Sequence, residues 1–310
     1  MSLIEIVIAS GKSSVDIALY TLLPVMVVML CLMKVLEAMG VMAIIVKMLA
    51  PVLKPFGLTG MSTFAMVQMN LISFAAPLAT LAIMLNRGVS DRHLAATLAM
   101  LLAMGQGNIL YPMIPLGLNW PVAIVFSIAG GLSAASFTWY FSGKKLSSIT
   151  CGETQDELTS SPPKKGIINI INDAGAEAIR LSVNAVPMLT LSITIVGILT
   201  QIGAVAGFER LVTPILHVIN VSQIYVVPAI AKYLGGGTAY LVVASDLVNS
   251  SNITAGEINK SVGFLIHTFD LPGIGIFLGI CTRIIVVFKY ALPGILVGIL
   301  MRTILHGLYF

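Results

Sequence analysis

The chain states one pattern twice, 163 residues apart. Pro24 recurs as Pro187, Gly40 as Gly203, Pro51 as Pro214 and Asn86 as Asn249. The runs around them match in kind, "PVMVVMLCLMKVLEAMG" against "PMLTLSITIVGILTQIG". Two copies of one unit must pack against each other. Pro and Gly at matching places predict helix breaks at matching places.

The copies are built for a bilayer. Only 10% of the 310 residues are charged and 57% are hydrophobic, against about 25% charged in soluble domains. Runs such as Ile17–Met33 and Val122–Phe141 reach or approach spanning length. Strand-length alternation between turns is absent, so the expected class is an all-α integral membrane protein rather than a barrel. Met1–Ser14 carries Glu5 in a short apolar stretch and has no signal-peptide pattern. Cys31, Cys151 and Cys281 are isolated and form no metal motif or disulfide framework. The net charge of +4 is spread over loops, which reads as topology and not as nucleic-acid binding.

A polar stretch, "GKKLSSITCGETQDELTSSPPKKG", separates the copies. The division is a first repeat over 1–142, a polar cytoplasmic linker over 143–176 and a second repeat over 177–310. Each repeat reads as a span, a short interfacial helix, a re-entrant hairpin, a broken helix and a final span. In the first these are 15–38, 41–56, 61–86, 92–113 and 120–141. In the second they are 181–203, 205–220, 224–249, 257–279 and 285–306. A hairpin and an interfacial helix cross nothing, so each repeat crosses three times and the repeats are inverted. That count fails if 41–56 spans.

Basic residues give a second view of topology. Twelve (Lys34, Lys47, Lys54, Arg87, Arg92, Lys144, Lys145, Lys164, Lys165, Arg180, Arg283 and Lys289) fall toward the central loop. Five (Lys12, Arg210, Lys232, Lys260 and Arg302) fall toward the other side. The excess predicts a cytoplasmic central loop. The expected location is a bacterial inner membrane, crossed several times.

Non-helical backbone within hydrocarbon leaves polar groups unpaired, so breaks survive only where protein or a cavity surrounds them. Freed helix N-termini suit anions, and freed carbonyls suit cations. The second hairpin holds Gly235, Gly236, Gly237 and Thr238, a sharp re-entrant tip open to close approach; tight helix packing is the alternative. The second broken helix, "FLIHTFDLPGIGIF", holds His267, Thr268 and Asp270. A carboxylate at membrane depth is a functional candidate that could bind Na⁺, carry H⁺ or bond a solute. Asp270 ahead of Pro272 is equally a helix cap, and both roles are compatible. His267 alone fits a satisfied buried histidine better. The first break, "GQGN", offers Gln106 and Asn108 where the second has Asp270. Gln68, Asn70 and Ser73 of the first hairpin are lining candidates or interhelical hydrogen-bond partners.

These residues resemble a known family. "NLISFAAPLATLAIM" resembles the hairpin region of spore maturation protein A, and "LGGGTAYLVVASDL" that of spore maturation protein B. Both belong to the nucleoside recognition, or Gate, domain family, which also includes the ferrous iron transporter membrane domain and the core of concentrative nucleoside transporters. The resemblance implies two fused Gate units with a transporter-like core. Concentrative nucleoside transporters carry a Glu in each hairpin; the aligned stretches here are Phe74-Ala75-Ala76-Pro77 and Gly237-Thr238-Ala239-Tyr240. No P-loop is present.

The expected function is secondary-transporter-like movement of a small polar solute, nucleoside-like or an ion. Coupling would run through Asp270 to H⁺ or Na⁺, without a resident cofactor or metal. A homo-oligomer is compatible with this. The alternative is a non-transporting scaffold or assembly factor of the spore-maturation type. An enzyme is not expected, since GxGD, HExxH and GxSx contexts are absent.

Overall fold

The computed structural model describes residues 3–72, 76–149, 166–207, 210 and 222–310, and all regular structure among them is helical. Helix α1 (Leu3–Asp16) runs through a π turn, Ile17–Leu22, into α2 (Leu23–Ala38). The widened turn sits just ahead of Pro24, which has no N–H to donate and whose ring crowds the carbonyl a turn earlier. Helicity thus starts well before residue 15, where the sequence places the first span. Gly40 ends it in the left-handed conformation at φ 76°, and Gly203 ends the corresponding helix at φ 74°. Only glycine adopts that stop without a Cβ penalty.

Helix α3 (Val41–Leu53) follows, and the segment Ile44–Phe56 meets α4 (Gly60–Leu71) at 109°. The turn is fixed by a capping box in which Thr59 and Ser62 satisfy each other's backbone N–H. Helix α5 (Ala76–Asn86) returns beside α4, joined to it by a Thr80 Oγ1 donation to Gln68 Oε1 at 2.8 Å. This is the expected hairpin; Ser73 and Phe74 lie outside the described residues. Helix α6 (Asp91–Ala103) is buried along its whole length from Leu94 onward. The chain then breaks at Met104–Gln106 and resumes as α7 (Gly107–Leu110). Helix α8 (Trp120–Phe137) ends the first half in a π turn, Thr138–Ser142.

Helix α9 (Ile167–Gln201) opens the second half. It starts inside the stretch assigned to the linker, because "IINIINDAGAEAIR" packs on α1 and α2: Cys31 Sγ reaches Ile171 O at 3.6 Å, and Lys34 pairs with Glu177. Of the expected short helix 205–220, all but 205–207 and 210 lies outside the described residues. Helix α10 (Val226–Asn249) contains Gly236 at φ 84°, ψ −176°. Its limbs run in opposite directions along α11 (Ala255–Leu265). Tyr225 and Tyr233 donate to the carbonyls of Glu257 and Phe264, whereas Tyr240, further along the chain, turns back to Ser261 at 2.7 Å. Ala231 and Val227 of the first limb share one apolar cluster with Ala239 and Val243 of the second. Residues 224–249 therefore form the expected hairpin, tipped at Gly236. The break after α11 leads into α12 (Leu271–Leu278), and α13 (Thr282–Tyr309) closes the chain.

By length and apolarity, four helices among the described residues are able to cross a membrane, or five if the bent pair counts as one. The chain is a multi-pass membrane protein. The Gln223–Asn249 stretch is long enough to be counted, yet it reverses at Gly236.

Helices α8 and α13 pack antiparallel. An offset of 164 residues relates Gly130 to Gly294 and Thr138 to Arg302. A Cβ on Gly130 would meet Arg302 Cγ, and one on Gly294 would meet Thr138 Oγ1. Ala134 meets Gly298 between them, and Ser142 Oγ donates to Tyr290 O at 2.6 Å further along. Likewise Ile6 of α1 lies at Gly197 near the end of α9, while Lys34 of α2 pairs with Glu177 near its start.

Candidate functional site

The two breaks meet in the buried interior. Thr268 N donates to Leu102 O at 3.2 Å, backbone to backbone, and Gln106 Nε2 donates to His267 O at 3.1 Å. Each half-helix entering the crossing starts with a good cap. Ser90 accepts from His93 N, and Thr254 accepts from Glu257 N. Each is interrupted where it meets the other, so both release carbonyls into one place.

The tip of the second hairpin sits on this crossing. A Cβ on Gly236 would lie 3.5 Å from Pro272 and 3.7 Å from Asp270 Oδ1; one on Gly237 would lie 2.9 Å from Ile109. The first limb brings Lys232, fully buried, into the same spot. Its ammonium donates to His267 O at 2.6 Å and pairs with Asp270 Oδ2. Asp270 Oδ1 accepts from Gly273 N at 2.7 Å, so the carboxylate caps α12 and holds Lys232 together. Both roles read from the sequence are present in one side chain.

A second buried cation stands beside this pair. Arg302 is fully buried and donates to Ala103 O at 2.9 Å and Val262 O at 3.2 Å. These carbonyls belong to the C-terminal turns of α6 and α11, each carrying roughly half a negative charge. Two such ends offset one guanidinium, and one carboxylate offsets one ammonium. The crossing is thus balanced as a whole.

His267 is orientated by its own backbone. Nδ1 accepts from Phe269 N at 3.1 Å, which leaves Nε2–H to donate to Phe264 O at 3.0 Å. This is the satisfied neutral imidazole. Thr268 points away from the ion pair, its hydroxyl toward Met69 Sδ at 3.6 Å.

The first hairpin touches the first break. Asn70 Oδ1 accepts from Ser127 Oγ at 2.8 Å, and that hydroxyl accepts from Gly105 N at 2.8 Å. Asn70 O lies so close to Gly107 that a Cβ there would clash at 2.5 Å. Asn108 Oδ1 is buried without a hydrogen-bond partner among the described residues. Gln106, Gly236, Gly237, His267 and Asp270 come together directly, with buried Gly235 in the same tip. Asn70 and Asn108 flank the first break. Gln68 is spent within its hairpin on Thr80, and Ser73 lies outside the described residues. Thr238 follows the tip and is half-buried.

Lys232 and Arg302 correct the topology count. Both were assigned to a membrane face, and both are buried at the crossing. The signal was present: a lone charge inside the apolar runs "VVPAIAKYLGGG" and "VGILMRTIL" is the same anomaly that marks Asp270.

The same overall fold occurs in solved structures. CNTnw, a concentrative nucleoside transporter, in an inward-facing substrate-bound state superposes with TM-score 0.70 at 19% identity, over 98% of this chain and 83% of that one. The chain has the CNTnw fold. A CNTnw double variant in an outward-facing state gives 0.69 at 18% identity, over 98% and 83%. A single variant of CNTnw in an intermediate state gives 0.68 at 19%, over 99% and 85%. No protein-family model and no curated protein matches the sequence.

Proposed function

We propose that this protein is a secondary-transporter-like membrane protein that moves a small polar solute, nucleoside-like or an ion. The observation that carries it is the meeting of two broken helices and a glycine-tipped hairpin at one buried polar cluster. Gln106, Lys232, His267 and Asp270 supply donors and acceptors there. Asn108 Oδ1, without a hydrogen-bond partner among the described residues, adds an acceptor beside the first break. Likeness to CNTnw in inward- and outward-facing states supports a fold that alternates access.

The domain plan 1–142, 143–176 and 177–310 belongs to this reading, as do inverted repeats. The antiparallel packing of α8 on α13, with Gly130 against Arg302 and Gly294 against Thr138, supports the inversion. One unit would then rock against the other. A bacterial inner membrane, a cytoplasmic central loop and the Gate-type kinship are part of the same proposal. Coupling to H⁺ or Na⁺, if used, would act at Asp270.

The scaffold reading draws on one specific observation, the full mutual satisfaction of Lys232 and Asp270. Flux decides between them. Proteoliposomes are to be tested for uptake of nucleosides, amino acids and metal ions, with wild type and Asp270→Asn. Flux lost in the variant supports transport; no flux of any solute in wild type sinks it.

A further inference from the structure

Lys232 is held as a metal cation would be. Its ammonium faces a backbone carbonyl freed by a helix break, His267 O at 2.6 Å, and a carboxylate oxygen, Asp270 Oδ2. Freed carbonyls together with a carboxylate are the oxygen donors that small cations take at broken helices. Residues 266–270 lie between α11 and α12, so His267 O has no helical partner. It accepts only from Lys232 and Gln106 among the described residues. The second buried cation faces other oxygens: Arg302 donates through its two terminal nitrogens to Ala103 O and Val262 O, and not to His267 O or Asp270.

The geometry points to a tethered-cation site: the Lys232 ammonium fills the oxygen-lined position where a free coupling cation would bind. Lys232 sits four residues before Gly236, on the first limb of the hairpin. Its charge therefore travels with the hairpin and is never released to water. The hairpin closes on the second break without a dissolved ion, so the step that Na⁺ binding would drive runs without Na⁺. The last statement rests on the transporter reading; the site itself does not.

Thermal unfolding of the purified full-length protein, in sodium, lithium, potassium or choline chloride at fixed ionic strength, tests the site without flux. Wild type is expected to melt at one temperature in all four salts. Lys232→Met is expected to melt lower in choline and to recover saturably with Na⁺ or Li⁺, as a native-state ligand requires. Adding Asp270→Asn to that variant should erase the response. Lys232→Gln, which keeps a donor for His267 O, takes the same test if Lys232→Met is not monodisperse. A saturable Na⁺ response in wild type that Asp270→Asn abolishes overturns the proposal. So does a folded Lys232 variant indifferent to every cation, or failure of both variants to fold in all four salts. Sodium-independent flux in wild type extends the site to coupling. Absence of flux, with the cation response of the variants intact, removes the transporter reading and leaves the tethered site standing.

Discussion

Arg302 of α13 and Thr138 of α8 each lie against a glycine of the facing helix, Gly130 and Gly294. The exchange is symmetric in backbone and asymmetric in chemistry. A guanidinium reaches the carbonyl ends of both broken helices, whereas the Thr138 hydroxyl is buried without a hydrogen-bond partner among the described residues.

Arg302→Met is expected to be among the most damaging single changes. It removes the side-chain donor from Ala103 O, at ~1–3 kcal/mol, and one of two donors from Val262 O, which Ile266 N also reaches at 3.2 Å. Arg302→Lys should recover only part, since one ammonium cannot reproduce the planar fork. Melting temperature in detergent reads both.

Asp270→Asn keeps a helix cap, because Asn caps about as well as Asp. It strands a buried ammonium, a loss of about 3–5 kcal/mol. Lys232→Met alone strands the carboxylate and should cost a similar amount. The double variant should be less damaged than the sum, with a coupling of at least ~1 kcal/mol in a double-mutant cycle. Additivity would mean that the two side chains do not meet.

Gly236→Ala should cost roughly 1–3 kcal/mol from backbone strain alone, because φ 84° with ψ −176° is glycine territory. Space is not the obstacle, since the nearest atom to a Cβ is 3.5 Å away. Gly130→Ala should fail for the other reason, overlap with Arg302 Cγ at 2.2 Å and Gly298 O at 2.8 Å. Limited proteolysis should then show the Gly236 variant opened at its hairpin and the Gly130 variant loosened between α8 and α13.

Ser90→Ala and Thr254→Ala each remove one N-cap from a half-helix that leads to the crossing, and each should cost about 1 kcal/mol. Thermal unfolding should show similar losses. A much larger loss in one would mean that its half-helix is held mainly by the cap rather than by packing.

Much of the fold was legible because helix breaks have local causes. Gly40 and Gly203 stop their helices by the same left-handed turn, and Pro24 marks a π turn. The breaks at Gln106 and Asp270, and the hairpin tip among three glycines, follow from residues that cannot continue a helix. Helix starts were less legible. Leu3 and Ile167 begin helices earlier than hydropathy suggested, because α1 and α9 stabilise each other and neither run is strongly apolar alone. The site was half legible. Asp270 was marked by its depth, but Lys232 and Arg302 passed as loop charges, since a sequence does not say which charge has a partner.

The sequence by itself determined the membrane class, the duplication and the places where helices must break, all consequences of composition and of backbone chemistry within a few residues. Only the tertiary structure decided that the two breaks cross and that Gly236 brings Lys232 onto Asp270. It also decided that Arg302 serves both half-helix ends. The reason is physical: burying a charge requires a partner, and these partners come from segments 38 to 199 residues apart in the chain.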